Sequence, residues 1–450
     1  MHAEGETPGV SVILAGNQVS GSSTTTGDEL KYREGETMLS LQWYGCKDVR
    51  VTEAPVPAIT EPADAICRIT GTTLCENDLQ LYNKEAMQLN QGDILGYEWI
   101  GIVDEVGPDV KNLKPGDRVV ASSQIVCGTC KFCEEGDFPM CDMRNHSSVR
   151  QRSYGKPSAG LARYGRFAGG QAEYARCPFA DSNLLKIPDN IPDEKALYLS
   201  YTIPISYHSI VCGDVGDGKS VAIWGGGPVG LCAAKWSLLA GASRVIVIDS
   251  VKEHLEIAKS LGCDIINFEE DPNVLSAIYE LEPNGLDCAI DTATRYAKGI
   301  LHTVQRAIGL ETGSSGIVNA ALRAVKRLGT VSLVADYAAL TNQFLIGTLL
   351  EKGVTLRGAD QAPVQKYWKD LLEKIESGEF DPTIILSHRF HIDELGELYD
   401  ALDKNEMSIM KTFIQTRFSH PPTPGTPRLK SLKSGHARPS SSVYHNGIHS

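Results

Sequence analysis

The stretch that decides the fold is residues 220–250, SVAIWGGGPVGLCAAKWSLLAGASRVIVIDS. It opens with SVAIW, the short apolar run of a strand buried on both faces. Gly225, Gly227 and Gly230 follow in G-x-G-x-x-G spacing. LCAAKWSLLAGA has helical composition and ends in a glycine break. RVIVID then reads as a second buried strand, ending at Asp249, 19 residues beyond Gly230. Each part has a mechanical role. Gly225 permits the tight turn, Gly227 lets the backbone approach a pyrophosphate at the helix N-terminus, and Gly230 lets the helix pack on the strand. Val229, between Gly227 and Gly230, completes the expected cofactor contacts. A glycine motif alone is weak evidence. Strand, glycines, helix, strand and acid in that order are specific for a dinucleotide. Asp249 is expected to bond the ribose hydroxyls of NAD. A 2′-phosphate facing that carboxylate costs roughly 4 kcal/mol per unit of like charge at about 4 Å and an effective dielectric near 20. The reading therefore favours NAD over NADP, with Lys252 and Arg244 expected to soften the preference.

The alternation continues downstream. SLGCDIINF, NGLDCAIDTA and LGTVSLVADY read as further helix-to-strand passages, which argues for a parallel sheet with helices on both faces.

Residues 127–141 read CGTCKFCEEGDFPMC. Cys127, Cys130, Cys133 and Cys141 stand in C-x2-C-x2-C-x7-C spacing, which suits a closed tetrahedral zinc site. Iron–sulfur ligation shares the first part of the pattern but not the last interval. Four thiolates leave no open coordination position, so this zinc, one per chain, is expected to be structural.

Composition sets outer limits. The 450 residues suffice for two or three domains, and the net charge of −13 disfavours nucleic acid as a partner. No apolar run of about 18 residues exists, so a membrane span is not expected. Only four of the 12 cysteines cluster, which points to a reducing, cytoplasmic compartment. Residues 1–37 hold six acidic residues against two basic ones and are rich in Gly, Ser and Thr, unlike a transit peptide. They are expected to be disordered, and Met38 is an alternative start. Residues 419–450 carry four basic residues, no acidic ones and much Pro, Ser and Gly, and are expected to be a disordered tail.

The dinucleotide and four-cysteine signals together resemble the medium-chain, zinc-type alcohol dehydrogenase family, in its formaldehyde-dehydrogenase-like branch. MLSLQWYGCKDVRV, VKNLKPGDRVV, GGQAEYARCPFADSNLLKIPD and EKGVTLRGADQAPVQKYW carry the resemblance further, over about residues 38–418. It implies an α/β fold: a GroES-like β-barrel catalytic domain with an inserted doubly wound Rossmann domain. The expected segments are 38–190 for the barrel with its cysteine lobe, 191–350 for the Rossmann domain and 351–418 for the return. It also implies a homodimer or homotetramer and a small-molecule substrate. The segment 309–327 looks like the branch's insertion near the cofactor.

Relatives hold a catalytic zinc through three side chains. Cys75, in TTLCENDLQLY, matches the first ligand, and Asp78 keeps its supporting place. The second ligand, a histidine in a G-H-E motif, is matched by Gly96-Tyr97-Glu98. The third, an acid, is matched by Tyr201 in YLSYTIPISYHSI. The motif's hydroxyl residue is Asn77, its distal histidine is Gln80, and Glu76 replaces a glycine. The catalytic zinc is therefore in doubt. Tyr97 and Tyr201 either fill the vacated volume or donate a proton, since a phenol with an ordinary pKa near ~10 can protonate an alkoxide or carbanion. His208 is a further titratable group near this place by analogy. The expectation is an NAD-dependent oxidoreductase acting on an alcohol or carbonyl. A zinc-free reductase or redox isomerase on the same fold, and a nucleotide-binding non-enzyme, are the alternatives.

Overall fold

The computed structural model describes residues 31–74, 76–83, 89–142, 168–293, 315–335, 337, 341–404 and 409–432. Numbered in chain order, the first strands are β1 (Tyr32–Gly45), β2 (Asp48–Pro57), β3 (Ala65–Thr72), β4 (Asp93–Ile94), β5 (Trp99–Val106), β6 (Arg118–Ala121), β7 (Tyr174–Cys177) and β8 (Leu184–Lys186). β9 (Ser220–Trp224), β10 (Arg244–Asp249), β11 (Asp264–Asn267), β12 (Leu286–Asp291), β13 (Val325–Leu333) and β14 (Thr355–Gly358) follow. β15 (Leu386–His391) and β16 (Lys411–Gln415) return the chain to the first body.

Three sheets result. A three-stranded sheet, β2-β1-β4, lies beside a seven-stranded one ordered β15-β16-β3-β5-β6-β8, with β7 also on β3. The third is six-stranded, ordered β11-β10-β9-β12-β13-β14, and its pairings are parallel. Its strand order reverses beside β9, the position where open α/β sheets take ligands. β9 is buried along its whole length, as its apolar run demands. One apolar cluster joins the bodies. Ile69, Trp99 and Val120 of the first share it with Val221, Ile223 and Leu231 of the second. No helix among the described residues is long and apolar enough to cross a membrane.

Several segment boundaries differ from the expectation. Residues 32–37, assigned to the N-terminal extension, belong to β1, where Tyr32 pairs with Pro57 and Arg33 bonds Asp104 at 2.7 Å. The Rossmann sheet runs past residue 350, because β14 pairs with β13 through Thr330–Thr355 to Leu333–Gly358. The expected insertion at 309–327 contains an ordinary crossover element: a helix, Gly316–Ala324, leading directly into β13. Its residues 309–314 lie outside the described residues.

The expected tail also divides. Residues 419–432 pack as a strap on the first body. Buried Glu194 takes the Thr423 N–H and hydroxyl at 3.0 and 2.9 Å, and Glu394 takes the Ser431 hydroxyl and the Leu432 N–H at 2.6 and 3.0 Å. Composition alone does not register these two carboxylates, which lie far upstream. Residues 1–30 and 433–450 lie outside the described residues.

Candidate functional site

The glycine loop joins β9 to a helix spanning Pro228–Leu239. Gly225 sits at φ +96°, a left-handed conformation that favours glycine. Gly230 is required for a different reason: a Cβ there would fall 1.8 Å from the Gly225 carbonyl oxygen. The Thr292 hydroxyl, 2.9 Å from the Trp224 and Gly225 carbonyls, fixes the loop from β12's end. Gly227 caps the helix, and a Cβ built on it meets nothing within 4 Å. That open cradle, at the N-terminus of a 12-residue helix with half-buried Val229 in its first turn, fits a pyrophosphate.

Asp249 ends β10 beside the loop. Its Oδ2 accepts from the Gly226 N–H at 2.6 Å, and its Oδ1 from the Ser250 and Val251 N–H groups at 2.6 and 2.9 Å. His254 Nδ1 stands 3.2 Å from Oδ2. Burial opposes ionisation, but the bonds from His254, Val251 and Gly226 outweigh it and hold the carboxyl below the ordinary range. Arg244, expected to soften the charge here, begins the same strand and pairs with Asp264 at 3.2 Å and Glu282 at 3.5 Å. Lys252 points outward to Glu270 at 3.6 Å.

The cysteine lobe is preformed. The Sγ atoms of Cys127, Cys130, Cys133 and Cys141 all lie within 4.8 Å of one another. Cys130–Cys133 is 3.5 Å, Cys127–Cys141 3.6 Å and Cys127–Cys133 4.0 Å. Zinc–sulfur bonds of about 2.3 Å in a tetrahedron need sulfurs about 3.8 Å apart. The four side chains therefore fit a closed zinc site.

The altered site lies where β5 meets the helix Thr202–Cys212. Tyr97 is 1% exposed and Tyr201 7%. Their rings meet edge-to-face, centroids 5.3 Å apart at 87°, a favoured aromatic geometry. The Ser200 hydroxyl lies 2.6 Å from the Ala121 carbonyl and 3.3 Å from that of Tyr97, tying the two tyrosine segments together. Glu98 is buried as well. Its Oε1 takes the Lys411 ammonium at 2.5 Å, and its Oε2 takes the Thr202 hydroxyl and N–H at 3.0 and 3.2 Å. Asp78 Oδ2 stands 3.5 Å from Gln171 Nε2, and the Tyr399 hydroxyl donates to Gln171 Oε1 at 2.8 Å. Cys75 lies outside the described residues, as do the side chains of Glu76 and Asn77.

Lys411, Thr202, Gln171 and Tyr399 escaped the sequence reading. The one signal for Lys411 is a lone cation entering the apolar strand KTFIQ. His208, placed near this site by analogy, bonds Tyr367 Oη at 2.8 Å and approaches Cys212 Sγ at 3.3 Å. Burial, with Lys366 nearby, lowers its pKa to about 4, so it stays neutral.

These residues do not fit a catalytic zinc. By the sequence resemblance Tyr97 and Tyr201 match two of the three ligand places, a phenol is not among the usual zinc donors, and both oxygens of Glu98 are engaged. The structural zinc site and the dinucleotide cradle carry no such conflict.

Comparison with known proteins agrees with this architecture. The alcohol dehydrogenase GroES-like domain model matches residues 61–189, and the zinc-binding dehydrogenase model matches residues 228–377. A zinc-type alcohol dehydrogenase-like protein of Schizosaccharomyces pombe is 39% identical over 386 residues, covering 84% of this chain and 91% of that protein. The glutathione-independent formaldehyde dehydrogenase of Pseudomonas aeruginosa is 31% identical, covering 74% of this chain and 86% of its own. The solved structure of the alcohol dehydrogenase TADH from Thermus sp. ATN1 is 30% identical with a TM-score of 0.71, covering 84% of this chain and all of that one. The chain is thus an oxidoreductase of the medium-chain, zinc-type alcohol dehydrogenase family.

Proposed function

We propose that this protein is an NAD-dependent oxidoreductase that interconverts an alcohol and a carbonyl without a catalytic zinc. The observation that carries this reading is the edge-to-face contact of Tyr97 and Tyr201, the two residues that match zinc-ligand positions by sequence resemblance. Gly225, Gly227 and Gly230, with Val229, would hold the pyrophosphate, and Asp249 the adenosine ribose. NAD, when bound, supplies the hydride chemistry. A hydroxyl of Tyr97 or Tyr201 supplies the proton to the alkoxide oxygen as the carbonyl is reduced, and takes it back in oxidation. The buried Lys411–Glu98 pair keeps the floor of the site electrically balanced. The same phenols suit reduction of a conjugated alkene or imine, or redox-neutral isomerisation with retained NAD, where the proton goes to carbon or nitrogen.

A structural zinc on the four cysteines, a reducing compartment and a homo-oligomer complete the proposal. The described cysteines are all free, in keeping with that compartment. For the oligomer, β14 is an exposed sheet edge, and Leu328, Ile346 and Leu350 beside it are 81%, 54% and 72% exposed. Cofactor absorbance during a screen of alcohols, aldehydes, enones and imines, repeated after chelation, tests the reading. Turnover that survives removal of accessible metal is the expected result. Turnover abolished by chelation and restored by zinc overturns it.

A further inference from the structure

The strap residues 420–427 read HPPTPGTP, in which Thr423 and Thr426 each precede a proline and each have a proline two residues before them. Proline-directed protein kinases accept threonine in this context. The segment is presented for such an encounter: Pro421, Pro422, Pro424 and Gly425 are exposed, and Thr423 is half-exposed. Thr423 is also one of the strap's two polar anchor points, the other being Ser431 and Leu432 on Glu394. Its N–H donates to Glu194 Oε1 at 3.0 Å and its hydroxyl to Glu194 Oε2 at 2.9 Å. Glu194 is itself 5% exposed and gripped by the fully buried guanidinium of Arg389.

We propose that Thr423 is a phosphoacceptor whose modification releases the strap. The threonine oxygen forms a bond to the γ-phosphorus of a nucleoside triphosphate. The bond from that phosphorus to the β-phosphate oxygen breaks, the nucleoside diphosphate leaves, and the hydroxyl proton passes to the kinase's base. The product has lost its hydroxyl donor to Glu194, keeps only the N–H, and carries nearly two negative charges against that carboxylate, the arrangement in which phosphorylation disrupts a contact. Burial works against the charge on Glu194, but its bonds to Thr423 and the Arg389 cation keep it ionised. Three contacts fix the plane of the Arg389 guanidinium, although its Nη1 has no hydrogen-bond partner among the described residues. Glu194 holds one side, the Pro427 carbonyl takes its Nε at 3.1 Å, and the Phe413 ring lies 4.5 Å below. Loss of the Thr423 anchor leaves residues 427–432 held by Arg389 Nε on the Pro427 carbonyl, the Lys430 N–H on the Arg389 carbonyl at 2.9 Å and the two Glu394 bonds to Ser431 and Leu432. Release therefore begins at the Thr423 end and loosens the Arg428 and Lys430 bonds between these points.

The test uses the full chain carrying Thr426→Ala, incubated with ATP and a proline-directed kinase, with the modified residue located by mass spectrometry. Trypsin cleavage after Arg428 and Lys430 is then timed. Phosphate on Thr423 and about tenfold faster cleavage at these two bonds are expected. Thr423→Val loses the hydroxyl bond to Glu194 and sets its own baseline of cleavage, but it should take no phosphate at this position and its cleavage rate should be the same with and without kinase treatment. Absence of phosphate on Thr423, or cleavage unchanged or slowed by it, overturns the proposal.

Discussion

Lys411 Nζ lies 2.5 Å from Glu98 Oε1, and their side chains are 2% and 1% exposed. Thr202 satisfies the other carboxylate oxygen. Removing one partner of such a pair strands a buried charge and costs roughly 3–5 kcal/mol, whereas removing both together costs far less. Lys411→Met should therefore lower the denaturant midpoint sharply, and Lys411→Met with Glu98→Gln should recover most of the loss. Equal midpoints for the single and double variants would show that the pair is not coupled.

Asp249 turns its carboxylate toward the glycine loop and holds it ionised by hydrogen bonds. Arg244 and Lys252 pair with Asp264 and Glu270, so neither of these two cations is paired with Asp249. NAD should bind more tightly than NADP, and Asp249→Ser should narrow the gap by roughly tenfold, about 1.4 kcal/mol. Titration calorimetry with both nucleotides measures it. Equal affinities in the unmodified protein would refute the assignment.

The cysteine lobe should bind one zinc per chain. Because ligands gathered by the metal also order the loop, Cys130→Ser should lose the ion and lower stability together. Metal content by mass spectrometry and a thermal melt check this. Full zinc retention with all four cysteines changed to serine would place the ion elsewhere.

The glycine loop and the cysteine lobe were legible because their signals are local: a few residues at fixed spacing, flanked by runs that can only be buried strands. The resemblance paired Tyr97 with Tyr201, and the structure brings the two buried rings into contact. Lys411 was not legible, because its partner lies 313 residues away and nothing near it in sequence demands a carboxylate. Gln171 and Tyr399 are likewise joined across 228 residues. Arg244 misled for the opposite reason. It is close to Asp249 in sequence, but five residues along a strand are about 16 Å, so the two stand at opposite ends. The strap's Pro-rich composition suggested a solvated tail, yet Glu194 and Glu394 hold it at specific points.

His208 sets a pH dependence. Burial, helped by Lys366, depresses its pKa from the usual 6.5 to about 4. A histidine depressed in the folded state contributes fully above its unfolded pKa, and that contribution falls away as pH drops from 6.5 toward 4. The gap is worth at most roughly 3 kcal/mol. Urea midpoints should decline over this window, and His208→Gln should flatten the decline. An unchanged profile in the variant would assign the acid sensitivity to other groups.

The tyrosine pair allows the sharpest test of the altered site. If a phenol carries the proton, Tyr97→Phe or Tyr201→Phe should cut turnover about 100-fold or more, within the usual range for a positioned acid or base, and leave NAD affinity nearly unchanged. Both rings remain in the variants, so the edge-to-face packing survives and a purely structural role predicts little change. The reverse construction asks whether the ligand places are still geometrically sound. Tyr97→His with Tyr201→Asp supplies an imidazole and a carboxylate, to join Cys75 in the three-ligand set that a catalytic zinc requires. This double variant should take up one more equivalent of zinc than the unmodified protein, measured against a Cys75→Ser version of the same double variant. Two zinc ions per chain in the unmodified protein, one of them lost on Cys75→Ser, would restore metal-assisted alcohol oxidation and remove the role assigned to the phenols.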